Sequence, residues 1–215
     1  MKKETARFNM VEQQIRTWDV LDPNVLDACE NVPREHFVPD DFESLAFSDI
    51  EIRLGTNEKM MSPKVCARAA QALSIKATDA ILEIGTGSGY MAAILSRLGD
   101  NVISFEINEH LTTVARENLR TAQIENCVVK NCDGLKTSLG TYDVIMLTGA
   151  ISSRNPYLER RLKNNGRMFC IIGERPSMQA TLITRTGDNA WTTESLFETE
   201  INPLTGAEST KSFEF

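Results

Sequence analysis

The second half of the chain, from Ala80 onward, alternates two kinds of pattern. Short apolar runs near 80–85, 101–107, 127–131, 142–148 and 167–173, bounded by Gly, Asn and Asp, predict strands, and the stretches 89–98, 109–122 and 154–163 between them predict helices. Such alternation predicts a parallel sheet with helices on both faces. Asn164-Asn165-Gly166 reads as the turn that ends the last of these helices before the fifth strand. Two later runs, 179–186 and 195–201, flank the turn-rich Gly187-Asp188-Asn189 and predict an antiparallel edge to the sheet.

The first fifty residues predict a helical extension. Phe8, Val11, Ile15 and Trp18 recur at helical spacing across 5–18, and Asp22-Pro23 offers an N-cap with proline at the first helical position for a helix through Asn31. Val32-Pro33-Arg34-Glu35-His36-Phe37-Val38-Pro39 is a proline-punctuated connector, and a looser segment, 42–61, leads into a helix over 63–73.

At 215 residues, with 41% hydrophobic and 25% charged residues, the chain fits a single globular domain with a substantial core. We divide it into an N-terminal helical elaboration and acceptor loop (1–61), an α/β core (62–175) and C-terminal strands (176–215). The 30 acidic residues exceed the 23 basic ones, a net charge of −7, which argues against nucleic acid as the partner, because lysine and arginine drive that binding. Arg154, Arg160, Arg161 and Lys163 form the best basic cluster and read as an ordinary solvated helix face.

Five cysteines without a C-x-x-C pair indicate neither a disulfide framework nor a zinc site, and no metal is expected. No apolar run follows the charged Met1-Lys2-Lys3-Glu4 and none reaches spanning length, so a cytoplasmic protein with no membrane partner is expected. His36 and His110 read as structural or surface residues, and monomer and homodimer both stay open.

Candidate chemistry concentrates at Glu83-Ile84-Gly85-Thr86-Gly87-Ser88-Gly89-Tyr90, directly after Ala80-Ile81-Leu82. Three alternate glycines between a strand and a helix let a ligand approach the backbone, and the helix start offers free N–H groups. A dinucleotide fingerprint requires Gly or Ala where Tyr90 stands, so that ligand is excluded. Glu106, about 20 residues on at the end of the next strand, suits the hydroxyls of a ribose.

The spacing acid-x-Gly-x-Gly-x-Gly resembles the first motif of S-adenosylmethionine-dependent methyltransferases, in whose pattern Asp133-Gly134 falls beside the adenine. This resemblance implies S-adenosyl-L-methionine as cofactor, with S-adenosyl-L-homocysteine as product. It also implies an α/β Rossmann-like methyltransferase fold with a mostly parallel central sheet, an antiparallel edge and an N-terminal helical extension. The implied cofactor-binding residues are Glu83, Gly85, Thr86, Gly87, Ser88, Gly89, Glu106, Ile107, Asp133, Gly134 and Thr148.

Together with Asp22-Pro23-Asn24-Val25-Leu26 and Val32-Pro33-Arg34-Glu35-His36-Phe37-Val38-Pro39, the glycine loop gives the chain a closer likeness. It resembles the protein-L-isoaspartate O-methyltransferase family, more weakly at Asn202-Pro203-Leu204-Thr205. The resemblance implies carboxyl methylation of isoaspartyl residues in damaged peptides or proteins, a reaction in which an ionised carboxylate needs no general base. Where that family carries Thr-Ile-Ser-x-Pro, this chain has Lys59-Met60-Met61-Ser62-Pro63, so Met61 falls at the serine position. A thioether donates no hydrogen bond. Weak or absent isoaspartyl methylation is therefore expected, with Ser62 either the substitute catalytic residue or the N-cap of the next helix. The alternatives are a methyltransferase of the same ancestry with another acceptor, such as a small molecule, and a non-catalytic cofactor-binding protein.

Overall fold

A computed structural model of the chain describes residues 3–137 and 140–207; positions 208–215 of the C-terminal segment lie outside them. The N-terminal helix α1 (Lys3–Asn9) continues without a break into a π-helical stretch, Met10–Ile15, and a 3₁₀ turn, Arg16–Trp18. The wider π turn rotates the apolar stripe out of phase with a regular helix. Met10, Val11 and Ile15 are thus buried, while Phe8 and Trp18, expected on the same face, are 54% and 36% exposed.

Helix α2 (Pro23–Asn31) starts as its sequence dictates, with the Asp22 carboxylate accepting from the N–H groups of Asn24 and Val25. A small hairpin, β1 (Ile52–Arg53) and β2 (Lys59–Met60), precedes α3 (Pro63–Ala72). The core then runs β3 (Ala80–Ile84), α4 (Tyr90–Leu98), β4 (Asn101–Glu106), α5 (Glu109–Thr121), β5 (Cys127–Asn131), β6 (Tyr142–Ile151), α6 (Pro156–Glu159), β7 (Leu162–Glu174), β8 (Ser177–Gly187) and β9 (Ala190–Glu198).

Among the described residues, seven strands form one sheet in the order β5-β4-β3-β6-β7-β8-β9. The first five in that order are mutually parallel, and β8 and β9 add antiparallel to one edge. This is the Rossmann-like methyltransferase architecture expected from the sequence. One sheet face packs against α2 to α5, and the other against the short α6 and the segment after β5. Ile81, Leu82, Val144 and Ile145 are fully buried at the centre of the sheet, where each such side chain contributes about 1.5–3 kcal/mol of transfer free energy.

Two local expectations are corrected. The helix expected over 154–163 is only the single turn α6, and Asn164-Asn165-Gly166 lies inside β7 rather than ending a helix. Asn165 takes a left-handed φ of 63°, and the pairing with β6 shifts register between Tyr142/Leu162 and Val144/Arg167. Of the basic cluster, Arg154, Arg160 and Lys163 are exposed as expected, and Arg161 is not. Arg154 pairs with the buried Glu159 at 2.7 Å, and Arg161, itself buried, donates to the Tyr157 hydroxyl at 2.9 Å.

The last strand occupies Ala190–Glu198 rather than 195–201. The tight turn at Asp188-Asn189 sets Gly187 opposite Ala190 and fixes the register from that end. As an edge strand β9 is largely polar and exposed, so its start carries no apolar signal.

Candidate functional site

β3 neighbours β4 on one side and β6 on the other, so the strand order reverses there, and a cavity of about 430 Å³ opens at the carboxyl ends of these strands. Its floor is the glycine loop. Gly85 has φ 93° and packs so closely that a Cβ would overlap the Thr148 hydroxyl and come within 2.9 Å of Leu204 Cδ2. Gly89, with φ 89°, is the N-cap of α4 and lets α5 approach, a Cβ there meeting the Ala115 carbonyl at 3.3 Å.

Gly85, Gly87, Glu106, Ile107, Asp133, Gly134 and Thr148 all line this cavity. The Glu106 carboxylate is oriented by the N–H of Gly87, 2.8 Å from Oε2, and the N–H of Asn108, 2.9 Å from Oε1. Each oxygen keeps a further lone pair for a ligand hydroxyl. Asp133 accepts from the Leu135 N–H at 3.0 Å and pairs with Lys136 at 2.9 Å. Thr148 donates to the Ile84 carbonyl at 3.1 Å, pinning the loop entrance to β6. Phe105, Ile107, Leu111 and Leu135 give the cavity apolar walls suited to a purine ring. The cavity thus offers one carboxylate with two accepting oxygens for a ribose and apolar walls for a base.

Thr86 and Ser88 instead line a second, smaller cavity of about 30 Å³, which Gly85, Gly87 and Thr148 share with the first. Glu83 and Gly89 line neither. Glu83 is fully buried beneath the loop, where Ser104 donates to it and Thr86 Oγ1 lies 2.5 Å from Ser104 Oγ. Burial pushes the Glu83 carboxyl up to about 8, against the opposing effect of the Ser104 hydrogen bond, and Oε1 has no partner. Its contact with the loop is therefore a hydroxyl relay from below.

Local sequence did not reveal the roof. Leu54, Asn57, Glu58 and Lys59 from the β1–β2 hairpin meet Asn202, Pro203, Leu204 and Thr205 from the C-terminal segment over the large cavity. Asn202 Nδ2 donates to the Asn57 carbonyl, and Asn108 Nδ2 donates to Glu58 at 3.2 Å. Only the likeness at Asn202 to Thr205 pointed there, because the segments are about 145 residues apart.

Met60, Met61, Cys66, Tyr90 and Met91 wall the small cavity. Met60 and Met61 are each 5% exposed. Ser62 is at the N-cap position of α3, yet its side chain makes no capping hydrogen bond, and it lines neither cavity. Cys66 is no thiolate, since burial pushes it up to about 11. His36 and His110 line neither cavity. Among the described residues no group of three His, Cys, Asp or Glu could hold a metal, and no helix is long and apolar enough to cross a membrane.

Comparison with known proteins accords with this geometry. The profile of the family described as protein-L-isoaspartate(D-aspartate) O-methyltransferase matches residues 5–209. A protein-L-isoaspartate O-methyltransferase of Methanospirillum hungatei is 35% identical over 204 residues, covering 94% of each chain. The protein-L-isoaspartate O-methyltransferase 2 of Shewanella sediminis is 36% identical over 187 residues, 86% of this chain and 77% of its own. Among solved structures, a Plasmodium falciparum protein described as such an enzyme, in complex with S-adenosyl-L-homocysteine, superposes with a TM-score of 0.81 over 92% of this chain and 97% of its own. At 17% identity that likeness is one of fold.

Proposed function

The chain belongs to the protein-L-isoaspartate(D-aspartate) O-methyltransferase family, and from that premise we propose that it binds S-adenosyl-L-methionine in the large cavity and methylates a carboxylate presented at the small one. The observation that carries this reading is the Glu106 carboxylate, fixed by the N–H groups of Gly87 and Asn108 at the reversal of strand order. Glu106 holds the ribose hydroxyls, Asp133, Gly134 and Ile107 flank the base, and the loop Gly85 to Ser88 holds the amino-acid end. Glu83 and Gly89 support that loop from below and behind. Once bound, S-adenosyl-L-methionine supplies an electrophilic methyl group on its sulfonium.

The chain's own work is alignment. A carboxylate with a pKa near 4 is ionised at neutral pH, so no residue has to remove a proton. Met60 and Met61 keep water from the reacting face, and the roof formed by Asn57 and Asn202 closes the other side. The acceptor in this reading is an isoaspartyl carboxylate of a peptide or protein, in the cytoplasm, and residues 1–215 act as one methyltransferase domain with the acceptor loop at the end of its 1–61 portion.

A second reading keeps the cofactor and changes the acceptor. It is favoured by the methionine wall, where Met61 takes the family's serine position and Ser62 lines neither cavity. On this reading a differently placed or small-molecule carboxylate is the substrate.

Thermal shift with S-adenosyl-L-homocysteine tests the cofactor, since ligand at 100 times Kd stabilises the fold by about 2.7 kcal/mol. Labelled-methyl transfer to an isoaspartyl peptide, with the matching aspartyl peptide as control, tests the acceptor. No shift at any ligand concentration rejects both readings, binding without transfer to the isoaspartyl peptide favours the second, and binding without transfer to any carboxylate favours a non-catalytic role.

A further inference from the structure

Among the described residues, the bulkiest fully buried side chain is a charged one, Arg34. Among the described residues it makes no ion pair. Burying a charge is costly unless its donors are met, and three groups meet this one. Nε donates to the Ala46 carbonyl at 2.9 Å, Nη2 donates to the Met61 carbonyl at 2.9 Å, and the guanidinium lies 4.6 Å from the centroid of the Tyr90 ring. The remaining nitrogen, Nη1, and the Tyr90 hydroxyl are both buried without a partner.

These contacts join the two halves of the site. Tyr90 is the first residue of α4, immediately after the glycine loop, and Phe37 holds its ring from the side at 5.7 Å. Met61 walls the small cavity, and its carbonyl is also approached by the Cys66 thiol at 3.8 Å. The Tyr90 ring, one residue beyond the glycine loop, thus bears on the guanidinium that holds the Met61 carbonyl of the acceptor loop. A lysine ammonium, whose three donors diverge from one nitrogen, lacks the planar fork that reaches both carbonyls while stacking on the ring.

We propose that Arg34, seated on Tyr90, is the positioning residue that ties the geometry of the Met60-Met61-Ser62 acceptor loop to occupancy of the glycine loop. The proposal rests on the cofactor reading above and adds a route by which the cofactor prepares the acceptor side before substrate arrives. Ala46 is the distant end of that route, since it contacts Arg34 and lines neither cavity.

Amide hydrogen exchange over residues 46–50 of the full chain, with and without S-adenosyl-L-homocysteine, reads the coupling without requiring a known acceptor. In the parent the ligand should slow exchange there about fivefold. In Arg34→Lys the ligand should bind within about threefold of the parent Kd while that protection is lost. Tyr90→Phe, which keeps the ring, should retain the protection, and Tyr90→Leu should lose it. This last pair decides the matter if Arg34→Lys shows no cooperative thermal transition. A merely structural role would lower Tm without separating binding from ligand-induced protection. Failure of the parent to bind S-adenosyl-L-homocysteine overturns the cofactor reading and with it the coupling. Binding with no protection over 46–50, or protection equal in the parent, Arg34→Lys and Tyr90→Leu, overturns the coupling alone.

Discussion

The main-chain N–H of Gly87 donates to the Glu106 carboxylate at 2.8 Å, so the loop after β3 and the acid at the end of β4 form one unit. Replacing Glu106 by Ala removes the acceptors proposed for the ribose and also releases the Gly87 amide. Loss of charge-assisted hydrogen bonds predicts weaker S-adenosyl-L-homocysteine binding by about 1–3 kcal/mol, roughly five- to 150-fold in Kd. Glu106→Gln, which keeps one accepting oxygen, should fall between parent and Ala. Titration calorimetry checks both, and an unchanged Kd in Glu106→Ala would remove Glu106 from the site.

Gly85→Ala should damage both the fold and the site. The position has φ 93°, and an added Cβ would overlap Thr148 Oγ1 and crowd Leu204. A strained left-handed residue costs about 1–3 kcal/mol, roughly 3–10 °C in Tm for a chain of this size. Because Thr148 and Leu204 both line the large cavity, ligand binding should weaken as well. A thermal melt with and without S-adenosyl-L-homocysteine measures the two effects; an Ala variant with parental Tm and Kd would show that the loop has room to spare.

Local chemistry explains what the sequence revealed. Central parallel strands such as Ala80–Ile84 are buried on both faces and read as near-continuous apolar runs, and Gly85, Gly87 and Glu106 carry their signal within one βαβ unit. The rest depends on tertiary packing. Arginine is a mostly exposed residue type, so nothing local marks Arg34 as buried among carbonyls from Ala46 and Met61, 12 and 27 residues away. Asn57 and Asn202 become neighbours only when the C-terminal segment crosses the cavity. The brevity of α6 goes with the early start of β7, whose Leu162 already pairs with Tyr142, a pairing that no local pattern announces.

Stability should fall as pH rises because of Glu83. Its carboxyl, raised by burial from an ordinary 4.5 to about 8, holds a proton in the folded state that the unfolded chain has released. Its contribution is complete below about 4.5 and is lost as pH climbs through the folded value near 8, since the folded state binds more protons across that window. Glu83→Gln, which cannot ionise, should flatten this slope, so that the variant gains on the parent between pH 6 and pH 9 by a few kcal/mol at most. Tm measured against pH for the two proteins gives the difference directly. Parallel curves would mean that Glu83 is already ionised at neutral pH.

Met61→Ser should raise isoaspartyl methylation, whereas Ser62→Ala should leave it within about twofold of the parent. Met61 walls the small cavity at 5% exposure, and Ser62 lines neither cavity and makes no capping hydrogen bond. A serine hydroxyl at 61 would donate to the acceptor carboxylate, and one such bond to a charged acceptor is worth about 1.5 kcal/mol, or roughly tenfold in rate. The same exchange removes a buried thioether from the wall and should cost about 2–4 kcal/mol of stability, so the assay belongs well below the variant's Tm. Labelled-methyl transfer to isoaspartyl and aspartyl peptides by parent, Met61→Ser and Ser62→Ala separates the possibilities. A gain confined to Met61→Ser and to the isoaspartyl peptide supports a family member whose acceptor pocket has changed. A loss in Ser62→Ala would instead give the hydroxyl role to Ser62 and require the loop to rearrange when substrate binds.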